Sequence, residues 1–385
     1  MGKSLLAALC AMLLSFFPAS GSPPEPPGGA CRCLAVGMDL FLSEGNTAPC
    51  SANNAEIMAA LFASFLPEGT RVTRSVNGPG SEAGLESLIA EAFGDAREGD
   101  TAYLYLSTHG VSWEEGGGMK TALILSDGTE EAALAPERLR EMMDRIPGKK
   151  VLILDCCHAG AMLPAFAGAQ WRAAAGCAPR EECFFMSAGE ATGMGYFTAA
   201  LENALRASDA GQIDPDGDGQ VTLGELAARI REIYGVSEAM FLPDAAAGDA
   251  DPLFFLPGER GGAERLAGLA FGEAAEEDGL ITLSFRFRTE TDVKVEYRLV
   301  PMGENGWDFA GAGRMPDRER TGQTRGLLSP GEKERSIRVS REKLGGSGAA
   351  LLEIISMRGL YRQVPVPEAT RVIRFSSDEM RGPEP

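Results

Sequence analysis

From Cys33 to about Leu256, short apolar runs alternate with stretches of helical spacing. Leu34 to Met38 reads as a first strand. Between Ser51 and Phe65, apolar residues at Ile57, Met58, Leu61, Phe62 and Phe65 recur at the three- and four-residue spacing of one helix face. Val72 marks a second strand, and Ser81 is a helix cap before Leu85, Leu88, Ile89 and Phe93. Thr101 to Leu106 is a third strand, Ala135 to Met143 a helix, Val151 to Leu154 a fully apolar strand and Phe184 to Met186 another. Fully apolar strands alternating with helices need cover on both faces. The pattern therefore predicts an α/β unit with a mostly parallel sheet flanked by helices. In such sheets chemistry gathers beyond the carboxyl ends of the strands.

Past Pro257-Gly258 the period changes to two. Ile281, Leu283, Phe285 and Phe287 alternate with polar residues, as do Val293, Val295, Tyr297 and Leu299. The two runs predict a β-hairpin joined by a short acidic turn. Further strands fit Ser336 to Ser340, Leu351 to Met357 and Thr370 to Phe375, so a C-terminal β-sandwich of immunoglobulin-like type is expected. The boundaries that follow are an α/β unit over 31–257, a linker over 258–264, a β-sandwich over 265–376 and a tail over 377–385. Ahead of these, Lys3, the apolar run Leu5 to Phe17 and Ala19-Ser20-Gly21 have the layout of a signal peptide over 1–21. Residues 22–30 form a Pro-rich leader. The apolar run is too short to span a bilayer comfortably, so export, to the periplasm or outside the cell, is expected without a permanent membrane anchor.

The 385 residues suffice for two or three folded units. With 36 Lys and Arg against 55 Asp and Glu, the net charge of -19 disfavours a nucleic-acid partner and suits cations or basic peptides. Seven cysteines follow the signal: Cys31, Cys33, Cys50, Cys156, Cys157, Cys177 and Cys183. In an oxidising compartment structural disulfides are expected, with Cys177 to Cys183 and Cys50 to Cys31 or Cys33 as candidates. An odd number leaves one thiol over.

The chain has two histidines, so any imidazole chemistry rests on His109 or His158. One apolar strand runs into Ser107-Thr108-His109-Gly110, another into Asp155-Cys156-Cys157-His158-Ala159-Gly160. Adjacent parallel strands would bring His109 beside a cysteine, and a thiol near an imidazole can ionise at neutral pH to a nucleophilic thiolate. Gly110 allows close backbone approach, so that its N–H can face a developing oxyanion. A zinc site from Cys156, Cys157 and His158 is disfavoured, because consecutive ligands lack the usual gaps.

These motifs resemble those of caspase-like cysteine peptidases, especially metacaspases and their bacterial relatives, whose second motif reads Asp-x-Cys-His-Ser-Gly. Ala159 stands where Ser is usual, and Thr108 where Gly is common. The resemblance covers roughly residues 31–256. It implies Cys157 as nucleophile, His109 as general base, and the N–H groups of Gly110 and Cys157 as the oxyanion hole. It also implies Asp155 as the acid of a pocket for a substrate Arg or Lys, with Glu190 as a second acidic wall. The stretch Ala161 to Glu182 reads as a long loop in which Arg172 and Arg180 are self-cleavage candidates.

A second motif runs from Asp214 to Glu225. Asp214, Asp216, Asp218, Gln220, Thr222 and Glu225 occupy the ligand positions of an EF-hand-like calcium loop, and Gly219 takes the sharp turn. Calcium is thus the one expected cofactor, structural or activating. Two other readings remain at this stage: a secreted calcium-binding adhesion protein with an inactive caspase-like unit, and a legumain-like peptidase cleaving after Asn.

Overall fold

The computed structural model describes residues 29–42, 50–188, 191–207, 210–244, 251–257, 266–289, 294–303, 306–309, 321–323, 331–344, 348–358 and 364–374. The expected signal peptide, most of the leader, the linker and the tail lie outside the described residues.

β1 (Cys31–Gly37), α1 (Ser51–Phe65), β2 (Arg71–Val76), α2 (Glu82–Phe93) and β3 (Thr101–Ser107) open the first unit. A small antiparallel sheet of β4 (Gly110–Glu115), β5 (Gly118–Ser126) and β6 (Glu131–Leu134) follows. The chain continues through α3 (Pro136–Asp144), β7 (Lys149–Asp155), the short α4 (Ala159–Met162) and β8 (Trp171–Ala175). Then come the antiparallel pair β9 (Phe185–Ala188) and β10 (Ala191–Gly195), α5 (Tyr196–Leu205), β11 (Gln220–Thr222), α6 (Leu223–Ile233), β12 (Met240–Leu242) and β13 (Pro252–Phe255).

The main sheet has the order β2-β1-β3-β7-β8-β12, parallel except for β12 at its edge. Alternation along each strand divides the core in two. Cys33, Ala35, Tyr103, Tyr105, Val151 and Ile153 pack with Met58 of α1, Leu201 of α5 and Leu226 of α6. Leu34, Val36, Leu104, Leu106, Leu152 and Leu154 pack with Ile89 of α2 and Met143 of α3 on the other face. Both faces are therefore covered, as the uniformly apolar strands require.

Two expectations are corrected here. The fifth parallel strand is β8, inside the stretch read as a loop, whereas Phe185–Ala188 pairs with β10 outside the main sheet. The Trp-Arg-Ala-Ala-Ala sequence of β8 has weak strand propensity and is held by pairing with β7 and burial.

The second unit contains β14 (Ala267–Phe271), β15 (Ala275–Glu277), β16 (Leu280–Thr289), β17 (Val295–Gly303), β18 (Gly306–Trp307), β19 (Thr321–Gln323), β20 (Gly331–Ser340), β21 (Ala349–Arg358) and β22 (Val364–Arg374). β14, β15 and β20 pair with β16. β17 pairs with β18, β19 and β21, and β21 with β22. The expected hairpin does not form: β16 and β17 lie in different sheets. Their apolar faces, Ile281, Leu283, Phe285 and Phe287 against Val295 and Leu299, share one core. Two such strands bury more apolar surface across a sandwich than edge to edge.

This unit docks on α5. Glu353, fully buried, accepts hydrogen bonds from the Tyr196 hydroxyl and Arg298 Nε, and Asn203 Nδ2 donates to the Pro367 carbonyl at 2.6 Å. Trp307 Nε1 donates to the Val236 carbonyl at 3.1 Å. Among the described residues, no helix is long and apolar enough to cross a membrane.

Candidate active site

β3 and β7 end in register, Ser107 opposite Asp155. Two residues further along each chain stand His109 and Cys157. The two turns touch: a Cβ on Gly110 would stand 1.9 Å from the Cys157 carbonyl oxygen and 3.3 Å from Cys156 Sγ. Glycine is required here by proximity alone. The site lies beside the point where strand order reverses, since the chain leaves β1 for β2 on one side and returns through β3 on the other.

His109 is positioned from both sides. Its carbonyl accepts the Ile124 N–H at 2.9 Å, tying it to β5, and its ring lies 4.4 Å from that of Phe41, centroid to centroid. The turn that carries Cys157, the candidate nucleophile, is fastened to the segment 177–183. His158 N–H donates to the Glu181 carbonyl at 2.9 Å, Gly160 N–H to the Cys177 carbonyl at 3.0 Å, and Cys157 Sγ lies 3.9 Å from the Cys183 carbonyl. His158 adopts a left-handed backbone (φ 58) at the start of α4. His158 also lines a cleft of about 530 Å³ with Trp113, Glu114 and Met119 of the β4–β5 hairpin and the exposed Arg180.

Burial pushes the Cys157 thiol up to about 11, with Cys177, Glu182 and Asp155 adding to the rise and the Cys183 backbone opposing it. Burial at this position therefore works against ionisation of the Cys157 thiol. Cys156 is buried in the core, with its Sγ against Gly110.

Asp155 is 5% exposed beneath these turns. Its Oδ2 accepts from Thr198 Oγ1 at 2.6 Å, Asn54 Nδ2 at 3.3 Å and the Tyr105 hydroxyl at 3.4 Å. Burial raises its carboxyl above the ordinary range, and the hydrogen bonds from Thr198, Cys183 and Tyr105 pull it back. Asn54 also receives the Gly195 N–H on Oδ1 at 2.9 Å and donates to Ser107 Oγ at 3.1 Å. Asn54, Tyr105 and Thr198 were not singled out from the sequence. Asn54 carried a legible signal, because it is an amide on the same helical face as Ile57, Met58 and Leu61. Tyr105 and Thr198 looked like ordinary core and helix residues.

The caspase domain of peptidase family C14 matches residues 30–238, more than half of the chain. The chain belongs to this caspase family. Its members are cysteine peptidases in general, acting on peptides or proteins, and the fold expected from the two motifs is the one observed. No curated protein matches the chain. Among solved structures, the chain is similar to GSU0716 from Geobacter sulfurreducens (17% identity, TM-score 0.43), over 59% of this chain and 100% of that one. It is also similar to wild-type OgpA from Akkermansia muciniphila (10% identity, TM-score 0.17), over 93% and 99%. Both likenesses are too slight to carry an argument.

Within the caspase domain, the remaining predicted residues fall as follows. Glu190 lies outside the described residues. Arg172 is in β8, with its side chain 16% exposed and bound to Asp251 at 2.8 Å, so the self-cleavage candidate there is withdrawn. The seven cysteines are free thiols in the structure. Cys177 and Cys183 are hydrogen-bonded neighbours. Cys50 cannot reach Cys31 or Cys33. It caps α1 at the Gly37 end of β1, and the strand places Cys33 about 13 Å and Cys31 about 20 Å from that end. A disulfide needs Cα atoms within about 7 Å.

The acidic loop joins α5 to α6. The carboxylates of Asp214, Asp216 and Asp218 offer oxygen atoms within 4.8 Å of one another. Gly217 and Gly219 have φ of 75 and 79, which lets the Gly217 and Gly219 N–H groups turn onto buried Asp214 at 2.8 and 3.0 Å. Gln220 and Thr222 bound the short strand β11, paired with β13. Glu225 and Thr222 instead form the reciprocal cap of α6: Glu225 N–H donates to Thr222 Oγ1 at 3.2 Å, and Glu225 Oε2 accepts the Thr222 N–H at 2.9 Å. Asp214, Asp216 and Asp218 thus converge in the first half of the loop, while Thr222 and Glu225 are engaged in the helix cap.

Proposed function

We propose that this protein is an exported cysteine endopeptidase cleaving after Arg or Lys. The observation that supports it best is the in-register ending of β3 and β7, with Gly110 packed on the Cys157 carbonyl. In this reading His109 accepts the Cys157 Sγ proton as sulfur attacks the scissile carbonyl carbon. A C–S bond forms, and the carbonyl electrons move to oxygen, held by the Gly110 and Cys157 N–H groups. Collapse breaks the C–N bond, and His109 returns the proton to the leaving amine. Water then hydrolyses the thioester by the same base.

Asp155, together with Glu190, selects the cationic P1 side chain in this reading. A buried carboxylate gains most from a guanidinium or ammonium that enters with it. Arg180, exposed in the segment that fastens the nucleophile turn, is the self-cleavage candidate that remains. Calcium, held by Asp214, Asp216 and Asp218 with the Gln220 carbonyl, would neutralise three clustered carboxylates and lock the α5–α6 connection; Thr222 and Glu225, the remaining ligands of the motif, would have to give up their cap of α6 to join them.

The test is hydrolysis of fluorogenic peptides differing only at P1 (Arg, Lys, Asp, Asn), with calcium and with chelator, beside Cys157→Ala. Cleavage after Arg or Lys that vanishes in the variant is expected. Cleavage after Asn or Asp would keep the dyad and reject the pocket. Silence towards every peptide, also after limited proteolysis, would reject the enzyme and favour a binding protein.

A further inference from the structure

A second cleft, of about 570 Å³, lies where the β-sandwich meets α5 and α6, away from His109 and Cys157. Its walls carry four arginines: Arg206 at the end of α5, Arg229 and Arg231 on α6, and Arg371 on β22. Two of them have carboxylate partners. Arg206 pairs with Glu202 at 3.3 Å and Arg229 with Glu232 at 2.7 Å. Even so, the Arg229 side chain is only 10% exposed, and its Nε is buried with no hydrogen-bond partner. Arg231 and Arg371 make no ion pair among the described residues. Their guanidiniums lie over the rings of Phe241 and Phe271, at 5.6 and 5.4 Å. Two carboxylates line the cleft, Glu232 and Glu368. The first is engaged by Arg229, and the second is nearly buried and takes the Ser356 hydroxyl.

This distribution runs against the composition. A chain with 55 acidic residues and a net charge of -19 can supply counter-ions readily, yet it leaves two guanidiniums and a buried Nε around one concavity. Aromatic stacking fixes Arg231 and Arg371 in orientation without neutralising them. Guanidinium groups arranged in this way match tetrahedral oxyanions, because each presents two parallel N–H donors. We propose that the cleft binds a compact oligophosphate, a small molecule with two or more linked phosphate groups, through Arg229, Arg231 and Arg371. The ligand would bridge α6 of the caspase domain and β22 of the β-sandwich, and so couple the two units.

The probe is inorganic tripolyphosphate, titrated calorimetrically into the full chain in 150 mM NaCl (about physiological ionic strength). Chelator is present throughout, so that removal of calcium from the acidic loop cannot produce the signal. Saturable one-to-one binding is expected, with monophosphate at matched ionic strength at least about tenfold weaker. Arg231→Gln with Arg371→Gln should weaken tripolyphosphate at least about tenfold, whereas Arg97→Gln, an exposed arginine beyond α2, should leave it unchanged. If the double variant does not fold by circular dichroism, each single variant should still weaken binding about threefold. Absence of saturation, unchanged affinity in the cleft variants, or equal loss in Arg97→Gln would overturn the proposal. So would tighter binding of a Glu-rich peptide than of tripolyphosphate.

Discussion

Gly110→Ala is the most direct perturbation of the catalytic geometry. The added Cβ would lie 1.9 Å from the Cys157 carbonyl oxygen, whereas real Cβ contacts essentially never fall under 3.0 Å. Relief therefore needs a movement of about 1.1 Å between two backbones. Neither can yield by a side-chain rotation, because the obstructing atom is main chain. On one side the movement must displace the start of β4, paired with β5 from Gly110 opposite Leu123 onward. On the other it must displace the nucleophile turn, pinned at His158, Gly160 and Cys157 to the 177–183 segment. Overpacking of this kind costs about 1–3 kcal/mol of stability. The chemical effect is larger, since misplacement by about 1 Å costs on the order of 10²-fold in rate. The assay is kcat/KM on the best P1 peptide, with a urea midpoint measured in parallel. A loss of about 10²-fold in a variant that is still folded is expected. Activity within about threefold of the parent would refute the reasoning, because the turns would then not need the approach on which the dyad depends.

Other consequences are equally concrete. The Cys157 thiol, pushed up to about 11, should alkylate slowly at pH 7 and about tenfold faster per pH unit up to pH 10; iodoacetamide kinetics with peptide mapping would show it, and a plateau below pH 8 would mean a preformed ion pair with His109. Arg298→Ala should cost about 3–5 kcal/mol in urea unfolding, because it strands fully buried Glu353, while Arg298→Met with Glu353→Leu should lie much closer to the parent. Additive losses in that double variant would argue against coupling. The raised Asp155 carboxyl keeps its proton to higher pH in the folded than in the unfolded chain, so its contribution is fully present below about pH 3.9 and is lost as pH rises through the folded value. Asp155→Asn should therefore flatten the decline of stability with rising pH above that point, and an unchanged slope would contradict the burial argument.

The elements that the sequence reveals are those whose patterns follow local geometry. The apolar stripes of α1 and α2, the uniform strands β1, β3 and β7 and the two turn motifs follow from side-chain periodicity and from residue types with restricted uses. The same holds for the spacing of Asp214, Asp216 and Asp218. Much of the candidate site was therefore readable as a linear arrangement: His109-Gly110 after one strand, and Asp155 with Cys157 after another. Tertiary structure decided what depends on partners distant in the chain. β8 is a strand because β7 and β12 lie beside it, not because Trp-Arg-Ala-Ala-Ala favours one. β16 and β17 face each other across a core because their apolar sides bury more surface that way, although a short connection would also suit a hairpin. Asn54, Tyr105 and Thr198, separated by up to 144 positions in the sequence, meet at Asp155 only when α1, β3 and α5 cover one face of the sheet. The protonation of Cys157 follows the same rule. Residue type and spacing single out a candidate nucleophile, but its proton affinity is set by burial and by neighbouring charges, which exist only once the chain has folded.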